Sequence, residues 1–187
     1  MTPLITHNLP YKKDTAFYFE LIRIFAHPVF IDSGCNKYEF ARFDIISAIP
    51  AISIKDNNGI YYSIEHETNS IRPHVASDIF DIAKQELENY KFESASDLPF
   101  VGGFIGHLSY DHGCTLQGVI SNKSNNPQLA ASEAGLYHWA IVTDHKECKT
   151  TLLFNQFCSK KTQKKILRQI QCVTPNTNTP QEFKVTT

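Results

Sequence analysis

Apolar positions along the chain fall into short alternating runs broken by a few helical stripes. In "DTAFYFELIRIFA", Phe17, Leu21, Ile24 and Phe25 recur at helical spacing behind an N-cap at Asp14. "HPVFIDSG" reads as a short strand ending in a turn at Ser33 and Gly34, and "ARFDIISAIP" as a second strand closed by Pro50. "AISIKDNNGIYYSIEHE" is a hairpin: two alternating runs flank Asn57, Asn58 and Gly59, residues that readily take positive φ. "SDIFDIAKQELENY" is an amphipathic helix capped by Ser77 or Asp78, with Ile79, Ile82, Ala83, Leu87 and Tyr90 as its buried stripe. "AGLYHWAIVTD" and "KTTLLFNQF" make a second hairpin through "HKEC", and "SKKTQKKILRQI" is a short basic helix whose lysines form a solvated face.

Between these elements lies "LPFVGGFIGHLSYDHG", a strand-like run with glycines at 102, 103, 106 and 113. Glycine weakens a strand unless something approaches the backbone closely, so a neighbouring element is expected against this run. The polar stretch "GVISNKSNNPQLAASE" reads as a surface loop, and "VTPNTNTPQEFKVTT" as a linker. Strands do not alternate one-for-one with helices. The expected class is therefore α+β: an antiparallel, sandwich-like sheet core with about three helices packed on one side of it.

The 187 residues suit one domain, and 42% hydrophobic content supports a real core. A net charge of −1 gives no electrostatic footprint for nucleic acid or an anionic membrane. The N-terminal stretch has no signal-peptide pattern, and no run is long enough to span a bilayer. Five cysteines without CxxC spacing fit a reduced, cytoplasmic protein.

Motifs for chemistry are sparse. The spacing GGxxG, with no Lys-Ser or Lys-Thr pair behind it, is neither a P-loop nor a dinucleotide fingerprint. His107, His112, Cys114, His138 and His145 raise the question of a metal, but His107 and His112 point to opposite faces of a strand and no ligand set is complete. They read as polar surface histidines. Glu65 and Glu67 read as solvent-facing, and no nucleophile motif occurs. No catalytic residue and no metal ligand is expected.

Three segments in order, "FYFELIR…HPVFIDSG…ARFDIISAIP", "DLPFVGGFIGHLSYDHG" and "GLYHWAIVTDHKECKTTLLF", resemble the N-terminal part of the component I family of chorismate-utilising synthases. The likeness is to aminodeoxychorismate synthase component I of para-aminobenzoate and folate synthesis, with anthranilate synthase component I as the sister branch. "DSG" resembles the former more than the latter. The resemblance implies a non-catalytic domain over residues 1–174 and a linker over 175–187 leading to a chorismate-binding catalytic domain outside this sequence. That domain would carry the catalytic Lys and Glu groups and the carboxylates for Mg²⁺, so this piece alone is expected to be inactive and to hold no cofactor. A glutamine amidotransferase subunit would be the partner. The alternative, a stand-alone binding module of the same fold, stays open.

The resemblance also implies contact residues. Gly102, Gly103, Phe104, Gly106, Tyr110 and Asp111 would pack against the catalytic domain, leaving Phe104, Ile105 or Leu108 partly uncovered here. Ile31, Ser33, Phe40, Ala41, Arg42 and Phe43 match a site for free L-tryptophan, though Phe40 and Phe43 are more simply read as core. Ala41 stands where relatives offer a hydroxyl, and "YDHGCT" lacks the Arg many relatives carry after the Tyr-Asp pair.

Overall fold

The computed structural model describes residues 4–34, 41–57, 60–74, 78–91, 96–109, 113 and 132–171. Phe40, Tyr110, Asp111, His112, Cys114 and the expected linker 175–187 lie outside these. In chain order the elements are β1 (Ile5–Leu9), α1 (Ala16–Ile22), β2 (Val29–Ile31), β3 (Phe43–Ser47), β4 (Ile52–Asn57), β5 (Ile60–Glu65) and β6 (Ser70–His74). There follow α2 (Ile79–Glu88), β7 (Gly103–Leu108), β8 (Ser132–Tyr137), β9 (Trp139–Asp144), β10 (Lys149–Phe154) and α3 (Lys160–Gln171). The architecture is α+β, with two five-stranded antiparallel sheets ordered β1-β10-β9-β3-β2 and β6-β5-β4-β8-β7.

The sheets share two crossing strands. β3 runs into β4 and β8 runs into β9, and these neighbours stay paired on both sides of the crossing, Ile46 opposite Ile141 and Ile52 opposite Leu136. The sequence pattern had "AGLYHWAIVTD" as one strand. It breaks at His138, where the chain passes from the second sheet to the first. A strand that turns such a corner loses ladder partners for its backbone, and those groups must be satisfied another way. Here the Trp139 indole donates to the Ala48 carbonyl at 2.7 Å, and the Ser47 hydroxyl donates to the Trp139 carbonyl at 2.7 Å. The Ala51 amide reaches the Leu136 carbonyl at 2.8 Å, and Ile49 takes a φ of 54° at the bend.

Both faces of the first sheet are covered. On one, Trp139, Ile141, Leu152 and Phe154 meet Tyr18, Ile22 and Phe25 from α1 and its exit, and Ile166 of α3. On the other, Ala140, Val142 and Leu153 are covered by Leu98 and Phe100 of the segment before β7. The second sheet receives α2 on one face, where Ile79 and Ile82 pack on Ile54 and Tyr61. The helices are thus divided two and one between the sheets, not gathered on one side.

Several expectations need correction in detail. α1 is rotated: Tyr18 and Ile22 face inward, while Phe17 and Ile24 are exposed. Apolar side chains surround this short helix, and Tyr18 wins burial because its hydroxyl donates to the Pro10 carbonyl. Thr15, not Asp14, is its N-cap residue, although Asp14 accepts from the Ala16 amide at 3.0 Å. In α2, Asp78 is the cap, accepting from the Asp81 amide at 2.8 Å, and Leu87 is exposed where Glu86 is buried on Arg72. β1 and β6 carry too few apolar residues to show in the pattern. α3 exposes Lys160, Lys161, Lys164, Lys165 and Arg168, as expected of a solvated basic face.

His138 and His145 are buried, contrary to the reading of surface histidines. His138 sits at the corner between Tyr90 and Phe157, with ring centroids 4.8 and 5.6 Å away, and its Nε2 has no hydrogen-bond partner among the described residues. Burial pushes its pKa down from 6.5 to about 4. Between those values the unfolded chain takes up a proton that the folded chain refuses, so stability falls as pH drops through this window. The loss reaches on the order of 3 kcal/mol at its lower end. His138→Phe, which keeps the aromatic packing, flattens that part of the profile; urea titrations above and below the window measure the difference.

Candidate functional site

Of the residues expected to hold tryptophan, Ser33 contacts the Asp44 carboxylate, where β2 ends and β3 begins beside the β9–β10 turn. Asp44 projects from β3 and is buried. Its Oδ1 accepts from the Ser33 amide at 2.8 Å and the Ser33 hydroxyl at 2.7 Å. Its Oδ2 accepts from the Thr15 hydroxyl and lies 2.8 Å from His145 Nε2. His145 Nδ1 lies 3.1 Å from the Tyr11 hydroxyl. Burial alone raises the Asp44 pKa, but the hydrogen bonds from Thr15, the Ser33 amide, His145 and the Ser33 hydroxyl outweigh it and hold the carboxyl below its usual range.

Arg42 lies alongside. Its guanidinium grips Asp144 with Nη2 to Oδ2 at 2.7 Å and Nε to Oδ1 at 3.1 Å, and stacks 4.6 Å from the centre of the Phe43 ring. This fork holds Asp144 below the usual carboxylate range. Phe43 packs with the Leu98 and Phe100 cluster, and Ile31 is 44% exposed. Ser33 and Arg42, polar members of the expected tryptophan site, are thus engaged with Asp44 and Asp144. Ser33, Asp44 and His145 do not form a nucleophilic triad, because the hydroxyl binds the carboxylate and not the imidazole.

The glycine-rich segment forms β7, which pairs with β8. A Cβ on Gly106 would meet the Glu133 carbonyl at 2.2 Å and Ala134 Cα at 2.6 Å, so the close neighbour at this glycine is β8 itself. Gly102 has a φ of 130°, and a Cβ there would strike Asn155 Nδ2 at 2.3 Å. Phe104 is half-buried over the α2 cluster, whereas Leu108 is 45% exposed. Among the described residues β7 has no strand on its other side.

A cavity of about 220 Å³ lies between the start of β2 and the open face of the second sheet. His27, Val29, Ser53, Ile105, His107 and Glu133 are among its walls. No sequence spacing hints at it, since its members come from four separate segments. Among the described residues no group of three His, Cys, Asp or Glu side chains is placed to hold a metal, and no helix is long and apolar enough to cross a membrane.

Asp44→Ala strands the Thr15 hydroxyl, the Ser33 amide and His145 at once. The expected loss is on the order of 3 kcal/mol in urea unfolding. A depressed folded pKa stabilises above the unfolded value of about 3.9 and ceases to as pH falls through the folded one. The wild type therefore steepens its acid unfolding below pH 4 more than the variant does.

No protein-family model matches the chain. It is similar to aminodeoxychorismate synthase component 1 of Klebsiella aerogenes, 28% identical over 148 residues that make up 78% of this chain and 32% of that protein. It is similar also to the chloroplastic anthranilate synthase alpha subunit 1 of Oryza sativa subsp. indica, 26% identical over 82% of this chain and 27% of that one. Among solved structures, anthranilate synthase component I from Streptococcus pneumoniae TIGR4 superposes with a TM-score of 0.53 over 75% of this chain and 32% of that chain, at 24% identity, which shows a shared fold. The chain spans between 27% and 32% of the length of these relatives. Over most of its length it is similar to component I of both synthases, as its strand motifs suggest.

Proposed function

We propose that this chain acts as the non-catalytic N-terminal domain of a cytoplasmic component I synthase of the aminodeoxychorismate type. The observation that carries the reading is the match itself: 78% of this chain aligns with a third of a component 1 protein. In the described residues the Ser33 hydroxyl and His145 serve the buried Asp44 carboxylate, and the Ser53 hydroxyl contacts His66, contacts that suit structural roles. On this reading the partner polypeptide region binds chorismate and Mg²⁺, a glutamine amidotransferase subunit delivers ammonia, and the product is 4-amino-4-deoxychorismate. The "DSG" turn favours this branch over anthranilate synthase, whose alpha subunits are the second reading because they match nearly as well.

The test is a reconstitution. The purified chain with chorismate, ammonia and Mg²⁺ gives no product. Adding the remaining two-thirds of the Klebsiella aerogenes relative as a separate polypeptide yields 4-amino-4-deoxychorismate, whereas activation only of the corresponding region of the Oryza sativa anthranilate synthase alpha subunit moves the assignment to the sister branch. Turnover by the chain alone, or a mixture no more active than the added polypeptide by itself, contradicts the proposal.

A further inference from the structure

The cavity beside β2 is lined by the polar side chains of His27, Ser53, His107 and Glu133, and Lys55, outside that lining, reaches Glu133 from the neighbouring strand. Lys55 Nζ lies 2.9 Å, and His27 Nδ1 3.4 Å, from the same oxygen of Glu133, Oε1. All three side chains keep about a third of their surface exposed, so a small solute can reach them. His107 stands directly opposite Glu133 in the β7–β8 register and is exposed on the same face. Behind them Ser53 Oγ contacts His66 Nε2 at 2.7 Å, and His66 packs 5.0 Å from the His27 ring. Burial first, then the nearby His27 and Lys55, hold His66 toward its neutral form.

The space stays open for a steric reason. Gly135 forms part of the wall, and a side chain there would collide with the Tyr137 ring at 2.9 Å. Tyr137 is fixed by its hydroxyl, which donates to the His27 carbonyl at 2.9 Å. The two strands therefore cannot fill the cavity themselves.

Lys55 has only donors to offer, His27 and His107 each carry at least one, and Glu133 is the single carboxylate lining the cavity among the described residues. Such a site favours a ligand that accepts hydrogen bonds and carries negative charge. At about 220 Å³ the cavity falls below the roughly 300–1,000 Å³ of drug-sized pockets and matches the volume of about seven waters. A ligand held wholly within it is smaller than a nucleotide. We propose that this cavity binds a small oxyanion, a phosphate or a short dicarboxylate, through His27 and His107 of its wall and Lys55 at its edge, with Glu133 as the group that positions Lys55 and His27 and opposes the ligand.

The roles predict opposite signs for two substitutions, which general unfolding cannot mimic. The full chain is titrated by calorimetry with inorganic phosphate and with malonate at constant ionic strength, and with methylammonium as the cation control. One of the anions saturates the site at millimolar concentration, and which one does so identifies the preferred oxyanion. Lys55→Gln weakens that binding at least about tenfold, or 1.4 kcal/mol, whereas Lys55→Arg retains it. Glu133→Gln binds the anion as tightly or more tightly. Fluorescence of the single, buried Trp139 reports that each variant is folded. The proposal is overturned if neither anion saturates, if methylammonium binds instead, or if a folded Glu133→Gln protein loses the anion.

Discussion

The architecture depends on one corner. Two neighbouring strands leave the first sheet together, bend, and enter the second sheet still side by side. At the bend the ladder is interrupted, and a buried, unpaired backbone group there would cost about as much as a lost hydrogen bond with its desolvation. The reciprocal pair between Trp139 and the Ser47–Ala48 segment removes that cost: the indole takes the Ala48 carbonyl and the Ser47 hydroxyl takes the Trp139 carbonyl. The same indole is fully buried at the heart of the larger core, so packing and backbone satisfaction reinforce each other in one side chain.

From the corner outward the two sheets differ in how completely they are covered. β9 is buried along its whole length because helices cover one face of its sheet and Leu98 and Phe100 the other. The second sheet has α2 on one face only, and Ile71 and Leu108 remain exposed on its outer strands. Its other face carries Ser53, Lys55 and Glu133, a polar surface that is stable in water as it stands. Among the described residues the free surfaces therefore lie on this less covered half.

What the sequence made legible follows from locality. Both hairpins were readable because turn chemistry and alternation lie within a few residues of each other, and the observed registers join Asn57 to Ile60 and Asp144 to Lys149. The cap at Asp78 was readable for the same reason. β1 and β6 were not: "ITHNL" and "SIRPH" owe their strand form to pairing with β10 and β5, and Pro73 is tolerated because β6 is an edge. The strand switch at His138 left no local mark, since its cause is Ala48, some 90 residues away. Asp44 and His145 are likewise 101 residues apart, and neither the buried network nor the cavity has a spacing signature. The tryptophan and domain-contact residues came from resemblance alone. Of those described, the structure shows Ser33 and Arg42 engaged within the chain and Gly106 pressed against β8.

If the corner binds the sheets into one cooperative unit, its amides open only when everything opens. Native-state hydrogen exchange of the full chain reads this directly. Amides of β3, β4, β8 and β9 on both sides of the crossing, Ala51 among them, are expected to exchange with one shared free energy equal to that of global unfolding. Exchange of the second sheet at a distinctly lower free energy, with the first still protected, would contradict the account.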